Sequence, residues 1–167
     1  MGKTQAILLT WTTYGTWLRG DMRGWVDEGR VLPANPCLEA ADRARMKHRV
    51  FTFHPNQMLD VGQAIGESLR SRMSLRILAL TVQTWHVHIV IAATSKALCD
   101  IVKCAKDAAR WHLRVGRPLW TVKYDKRFCF TTLSTSNRIV YVEKHNLRMG
   151  WDARPWEFIE KIGPWCS

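Results

Sequence analysis

The chemistry of this chain is concentrated in two short segments. In the first, His86-Val87-His88 opens the apolar run Trp85 to Ala93. That run is predicted to be a buried strand. Alternate side chains of a strand share a face, so His86 and His88 project together while Val87 and Ile89 point the other way. Two imidazoles on one rigid face make two ligands of a metal site that needs a third. In the second segment, Tyr141 and His145 are four residues apart on a predicted helix, and that spacing places them on one side of it. His145 would complete a three-imidazole site. Tyr141 would then sit beside a phosphate held at the open metal positions. A phenol with an ordinary pKa near 10 is a weak nucleophile; a metal that polarises the phosphate makes its attack feasible. The product would be a phosphotyrosine, which stores the bond energy for a later joining step.

Spacing of about 100° per residue puts Tyr141, Lys144, His145 and Arg148 on one side of this helix. Ile139, Val140, Leu147 and Met149 fall on the other, with Glu143 and Asn146 unexpectedly inside the apolar arc. Asn146 is a rival third ligand. Tyr124 is a rival nucleophile, but it lies in Val122-Lys123-Tyr124-Asp125-Lys126 with no ligand at helical spacing.

The elements that must position these groups read as follows. Ala6 to Thr12 is a first strand. Residues 18 to 35, punctuated by Gly20, Gly24, Gly29 and Pro33, read as a long irregular loop. Asn35-Pro36 opens a short helix to about His48. A helix from Pro55 or Asn56 to about Met73 follows, then strands Leu75 to Val82 and Trp85 to Ala93 as an antiparallel hairpin. Thr94 or Ser95 is expected to cap a helix that ends near Gly116. Leu119 to Thr131 contains a fourth strand, and Ser134 or Ser136 caps the last helix, which stops at Gly150. Residues 151–167 read as a short tail. The order β-α-β-β-α-β-α predicts an α+β, ferredoxin-like antiparallel sheet with helices on one face and the other face free for a ligand. All 167 residues fit one domain, with an insertion at about 18–55.

Composition narrows the partners. The net charge is +11, with 13 Lys/Arg against 6 Asp/Glu in residues 101–167. A basic surface is the footprint of a polyanion binder, and the nine tryptophans offer stacking faces for unpaired bases. On the predicted helix 96–114, Lys96, Lys103, Lys106, Arg110 and Arg114 form a basic stripe, for which DNA phosphates are the natural counter-charge. Lys144 and Arg148 add to it, and Trp11, Trp17 and Arg19 are further candidate DNA contacts. No apolar run approaches the ~20 residues of a membrane span, and no basic amphipathic terminus points to lipid. Five cysteines without a CxxC pair argue against a disulfide framework and for a reducing cytoplasm. No signal peptide is read at the start.

Together these segments resemble a known family. Trp85-His86-Val87-His88-Ile89-Val90-Ile91 is similar to the HUH motif (histidine, hydrophobic, histidine). Tyr141 to Gly150 resembles the catalytic-helix segment of REP-associated tyrosine transposases, which are single-tyrosine HUH enzymes. Leu9 to Leu18, Pro118-Leu119-Trp120 and Tyr124-Asp125 are also similar to that family. The resemblance runs from about residue 6 to 158. It implies a ferredoxin-like fold, a Mg²⁺ or Mn²⁺ cofactor, and single-stranded DNA near a hairpin as the substrate. It makes Tyr141 the nucleophile that links to the 5′ phosphate and releases a 3′ hydroxyl, and His86 and His88 the motif ligands. Relatives carry Asn or Gln four residues after the tyrosine, where this chain has His145; three imidazoles suit Mn²⁺ or another transition metal better than Mg²⁺. Cleavage could be organised within a monomer or across a homodimer. The alternative expectation is a binding module that recognises a structured DNA or RNA element without cutting it.

Overall fold

The computed structural model describes residues 2–161. β1 (Ala6–Thr12) pairs on one side with β5 (His86–Ala92) and on the other with β6 (Asp125–Cys129), and β4 (Ile77–Val82) completes the four-stranded antiparallel sheet in the order β4-β5-β1-β6. β1, β4 and β5 are apolar along nearly their whole length because both of their faces are covered. One face carries Ile7, Leu9, Trp11, Val87, Ile89 and Ile91. It packs beneath α2 (Pro55–Met73) and α3 (Leu98–Leu113), as expected for helices gathered on one side. The other face is divided. At one end Leu8, Ala79 and Val90 pack against Ile139 and Val142 of α4 (Thr132–Arg148). At the other end Thr10, Thr12, Thr81, His86 and His88 share the surface by register. The face expected to be free is thus half occupied by the helix that carries the tyrosine.

Several expected boundaries move for identifiable reasons. Residues 18–35 are not an irregular loop throughout: β2 (Trp25–Asp27) and β3 (Arg30–Leu32) form a small hairpin. Its turn residues Glu28 and Gly29 both have positive φ (46° and 78°), the twist that a two-residue hairpin favours. α1 (Pro36–Arg45) starts where Asn35 Oδ1 accepts from Leu38 N (3.1 Å), as expected, and ends before His48. α3 begins only after Ala97. The Thr94 hydroxyl accepts from Lys96 N (3.2 Å) and closes a local turn instead of capping the helix. The helix ends at Arg114, which takes the left-handed conformation expected of Gly116. α4 starts earlier than Ser134, because Thr131 caps it in a reciprocal box with Ser134.

The largest correction concerns the tail. Trp156, Phe158 and Ile159 are buried in the main core. Trp156 Nε1 donates to Leu59 O (2.9 Å), and Glu160 N donates to Ile77 O (2.9 Å). Gly62 and Gly66 make this possible: a Cβ on either would run into the rings of Trp156 and Phe158. Cys166, one of the five cysteines, lies outside the described residues. Among those residues no helix is long and apolar enough to cross a membrane.

Alanine is the better helix former by about 1 kcal/mol at an ordinary helical site. Here Gly66→Ala forces Phe158 out of its seat, an overpacking cost of about 1–3 kcal/mol. The expected outcome in urea unfolding is a lower midpoint for G66A than for the parent.

A candidate metal centre beside a tyrosine

The register of β1 against β5 sets Thr12 opposite His86 and Thr10 opposite His88. α4 crosses the same face, so one atom each from His86, His88 and His145 lie within 4.8 Å of one another. Ring centroids are 4.6 Å apart for His86–His88, 5.1 Å for His88–His145 and 5.8 Å for His86–His145. Tyr141 completes the cluster. Its hydroxyl is 3.4 Å from His88 Nε2, and its ring centroid is 4.8 Å from that of His145.

Each imidazole is prepared differently. His145 Nδ1 lies 2.9 Å from Tyr141 O; a carbonyl only accepts, so Nδ1 carries the proton and Nε2 keeps its lone pair. His88 Nδ1 lies 2.7 Å from Thr10 Oγ1. We assign the Nδ1–H tautomer here as well, which turns the Nε2 lone pair towards His145 and Tyr141. His86 Nδ1 is buried with no hydrogen-bond partner, an open valence of the kind that a cation satisfies. Burial first, then the neighbouring imidazoles, pushes His88 down to about 3; burial, His145 and Arg23 push His86 down to about 4. Both rings are therefore neutral at physiological pH and keep their lone pairs. A closed set of three nitrogen donors with one exposed side fits a divalent transition metal.

Asn146 drops out as a rival ligand. It is fully buried, and its Nδ2 donates to Leu80 O (2.9 Å) and Ala153 O (3.0 Å). Its place in the apolar arc is that of an anchor tying α4 to β4. Glu143 is explained similarly, by its ion pair with Arg154 (2.6 Å). The buried stripe of α4 is Thr135, Ile139, Val142 and Asn146, whereas Val140 and Leu147, expected inside, are exposed.

The other expected contacts divide. Lys144 and Arg148 are exposed on α4. Lys103, Arg110 and Arg114 are exposed on α3, across the sheet from the imidazoles. Lys96 is exposed but precedes the helix, so it does not belong to the stripe. Lys106 is half-buried, with Nζ donating to Thr121 O (2.7 Å), Lys123 O (3.2 Å) and Val122 O (3.4 Å), and burial pushes its pKa down to about 8. It is a clip on that segment rather than a free cation. Trp11 is 2 % exposed and is core, not a DNA contact. Arg19 is paired with both carboxylate oxygens of Asp42 (2.8 and 2.6 Å), which occupies the side of its fork that a phosphate would need. Trp17 remains partly exposed.

Sequence reasoning missed the company Trp17 keeps. Arg23 packs its guanidinium 4.5 Å from the Trp17 ring centroid and 4.8 Å from that of Trp85, and Trp85 lies 4.3 Å from His86, ring to ring. Arg23 is held by the buried carboxylate of Asp21 (2.7 and 2.6 Å). The signal was present only as an arginine and two tryptophans separated by a glycine-rich segment and more than half the first hundred residues.

No protein-family model and no curated protein matches the sequence. Among solved structures, the chain is similar to a REP-associated tyrosine transposase bound to a REP hairpin, at 12% identity and a TM-score of 0.53, over 95% of this chain and 78% of that one. A Deinococcus radiodurans protein assigned to the transposases aligns at 19% identity over 86% of this chain and 92% of that one, with a TM-score of only 0.44. The first likeness establishes the shared α+β fold.

Two outcomes follow from this geometry. His86 and His88 titrate near 6.5 once unfolded but stay neutral to about 4 and about 3 when folded. The unfolded chain thus binds more protons below pH 6.5, and the stability that these rings contribute is complete above that pH and lost as pH falls. In metal-free protein, the urea midpoint should drop between pH 6.5 and 4.5, and less steeply in a His86→Gln/His88→Gln variant. Separately, Thr10→Val removes the partner of His88 Nδ1. It should weaken Mn²⁺ binding by about 10- to 100-fold in calorimetry, with Thr10→Ser restoring it.

Proposed function

We propose that this chain is a single-tyrosine HUH transposase of the REP-associated type, acting as one catalytic domain with residues 18–55 as an insertion. It nicks single-stranded DNA beside a hairpin and transfers the cut strand. The observation that carries the reading is the convergence of Tyr141 with three imidazoles from two distant segments. The shared fold with a hairpin-bound tyrosine transposase supports it.

Tyr141 Oη attacks the scissile phosphorus. The new Tyr–O–P bond forms as the P–O3′ bond breaks, and the proton lost by the phenol is balanced by the one that the leaving 3′ oxygen gains. The DNA is left with a 3′ hydroxyl, and its 5′ phosphate stays on Tyr141. Reversal by a different 3′ hydroxyl joins two strands. His86, His88 and His145 would hold a divalent ion, Mn²⁺ in preference to Mg²⁺, which supplies Lewis-acid polarisation of the phosphate. Thr10 fixes the tautomer of His88, and Asn146 fixes the rotation of α4 so that Tyr141 and His145 face the sheet. Lys144 and Arg148 flank the phenol and neutralise the backbone on either side of the cut. The setting that suits four free thiols is the cytoplasm.

Incubation with hairpin-bearing single-stranded oligonucleotides and Mn²⁺ should produce a covalent protein–DNA adduct on a denaturing gel. Tyr141→Phe should abolish the adduct while oligonucleotide affinity stays within about twofold. EDTA or His88→Ala should abolish it together with metal binding. Tight hairpin binding with no adduct in any divalent metal would leave the non-cleaving binding module as the better reading.

A further inference from the structure

The basic stripe of α3 does not face the metal centre, and a second feature shows what it does face. Between α3 and residues 116–124 lies a cavity of about 540 Å³, a volume in the range of small-molecule sites. Its walls carry four cations, Lys103, Lys106, Arg110 and Arg117, against the single carboxylate of Asp107. Lys103 and Arg110 are exposed and, among the described residues, form no ion pair. Tyr124 lines the same space with its ring half-buried. It is the tyrosine that the metal cluster leaves unused.

The far wall is built to last. Lys106 Nζ gathers three carbonyls of residues 121–123, and Trp120 Nε1 donates to Lys106 O (3.0 Å). The wall also leads to the metal centre. Trp120 bridges Thr13 at the end of β1, and Thr121 N donates to Thr12 O (3.0 Å) while their hydroxyls meet at 2.9 Å. Thr12 stands opposite His86. A chain leaving the cavity over Thr121 therefore reaches the imidazoles after two strand spacings, about 10 Å.

We infer that this cavity binds one unpaired nucleotide of single-stranded DNA a few positions from the phosphate that Tyr141 attacks, its base against Tyr124 and its phosphate on Lys103 and Arg110. The inference rests on the function proposed above. A duplex does not fit it, because a paired base cannot enter a closed space of this size. The site also explains why a basic stripe sits on the far side of the sheet: it anchors the strand that runs round the sheet's end.

The test uses the full chain with Tyr141→Phe, so that binding is read without cleavage, and a fluorescent hairpin with a single-stranded flank carrying one abasic site at each position in turn. One flank position should lose about fivefold or more in affinity when abasic. Tyr124→Ala should cause a similar loss and erase that position's sensitivity, and Tyr124→Phe should behave as the parent. Lys103→Ala with Arg110→Ala should reduce the slope of log affinity against log salt by about 1.4, two single-strand phosphate contacts. An unstructured oligothymidylate separates this site from the cleavage reading. If its affinity depends on Lys103, Arg110 and Tyr124 while no hairpin is ever cut, the nucleotide site stands and the transposase reading falls. If neither probe responds to those three residues, or a blunt duplex loses affinity equally, the nucleotide site is overturned.

Discussion

The pairing of β1 with β5 is the constraint on which the site depends. A slip of one residue would turn every side chain of β5 to the opposite face. His86 and His88 would then be driven into the core under α2 and α3, and Val87 and Ile89 would face Tyr141. The apolar alternation Val87-Ile89-Ile91 and Ile7-Leu9-Trp11 forbids that slip, since all six side chains are buried on the same face. The hydrophobic core therefore does more than stabilise the sheet. It fixes the direction of two imidazoles and puts Thr10 within 2.7 Å of His88 Nδ1.

The second half of the site hangs on a single buried amide. Asn146 is next to His145, about 100° round the helix. By bonding Leu80 O and Ala153 O it docks α4 on β4 and leaves His145 and Tyr141 to look along the sheet. The cost of burying polar groups is met by hydrogen bonds for Nδ2, while Asn146 Oδ1 and His86 Nδ1 stay without partners. The first is part of the docking contact. The second belongs to a cluster whose neutral nitrogens, crowded within 4.8 Å, have a common use in holding a cation.

Charge is distributed between two faces. The exposed cations of α4 flank the tyrosine, and those of α3 border a cavity on the other side of the sheet. A flexible single strand can follow both by passing the Thr12–Thr121 contact, whereas a stiff duplex would engage only one. Near the opposite side of the metal cluster, the Trp17–Arg23–Trp85 stack shields His86 and helps to lower its pKa. The insertion that looked irregular in sequence thus has a structural task, holding Asp21 and Arg23 against the first imidazole.

Local chemistry was legible without a structure wherever it depended on period and spacing. The alternation of His86 and His88, the one-turn separation of Tyr141 and His145, the strand runs and the Asn35-Pro36 helix start all follow from backbone geometry that a short segment carries by itself. The choice between His145 and Asn146 did not, because the two differ only in which way a helix is rotated against a distant strand. Nor did the burial of Trp11, the return of Trp156 and Phe158 onto Gly62 and Gly66, the pairing of Thr10 with His88, or the cavity beside Tyr124. Each of these is set by contacts between segments far apart in the chain, made only once the apolar faces had closed on one another. The amino-acid sequence alone determined which groups could do chemistry; the packing of the core decided which of them meet.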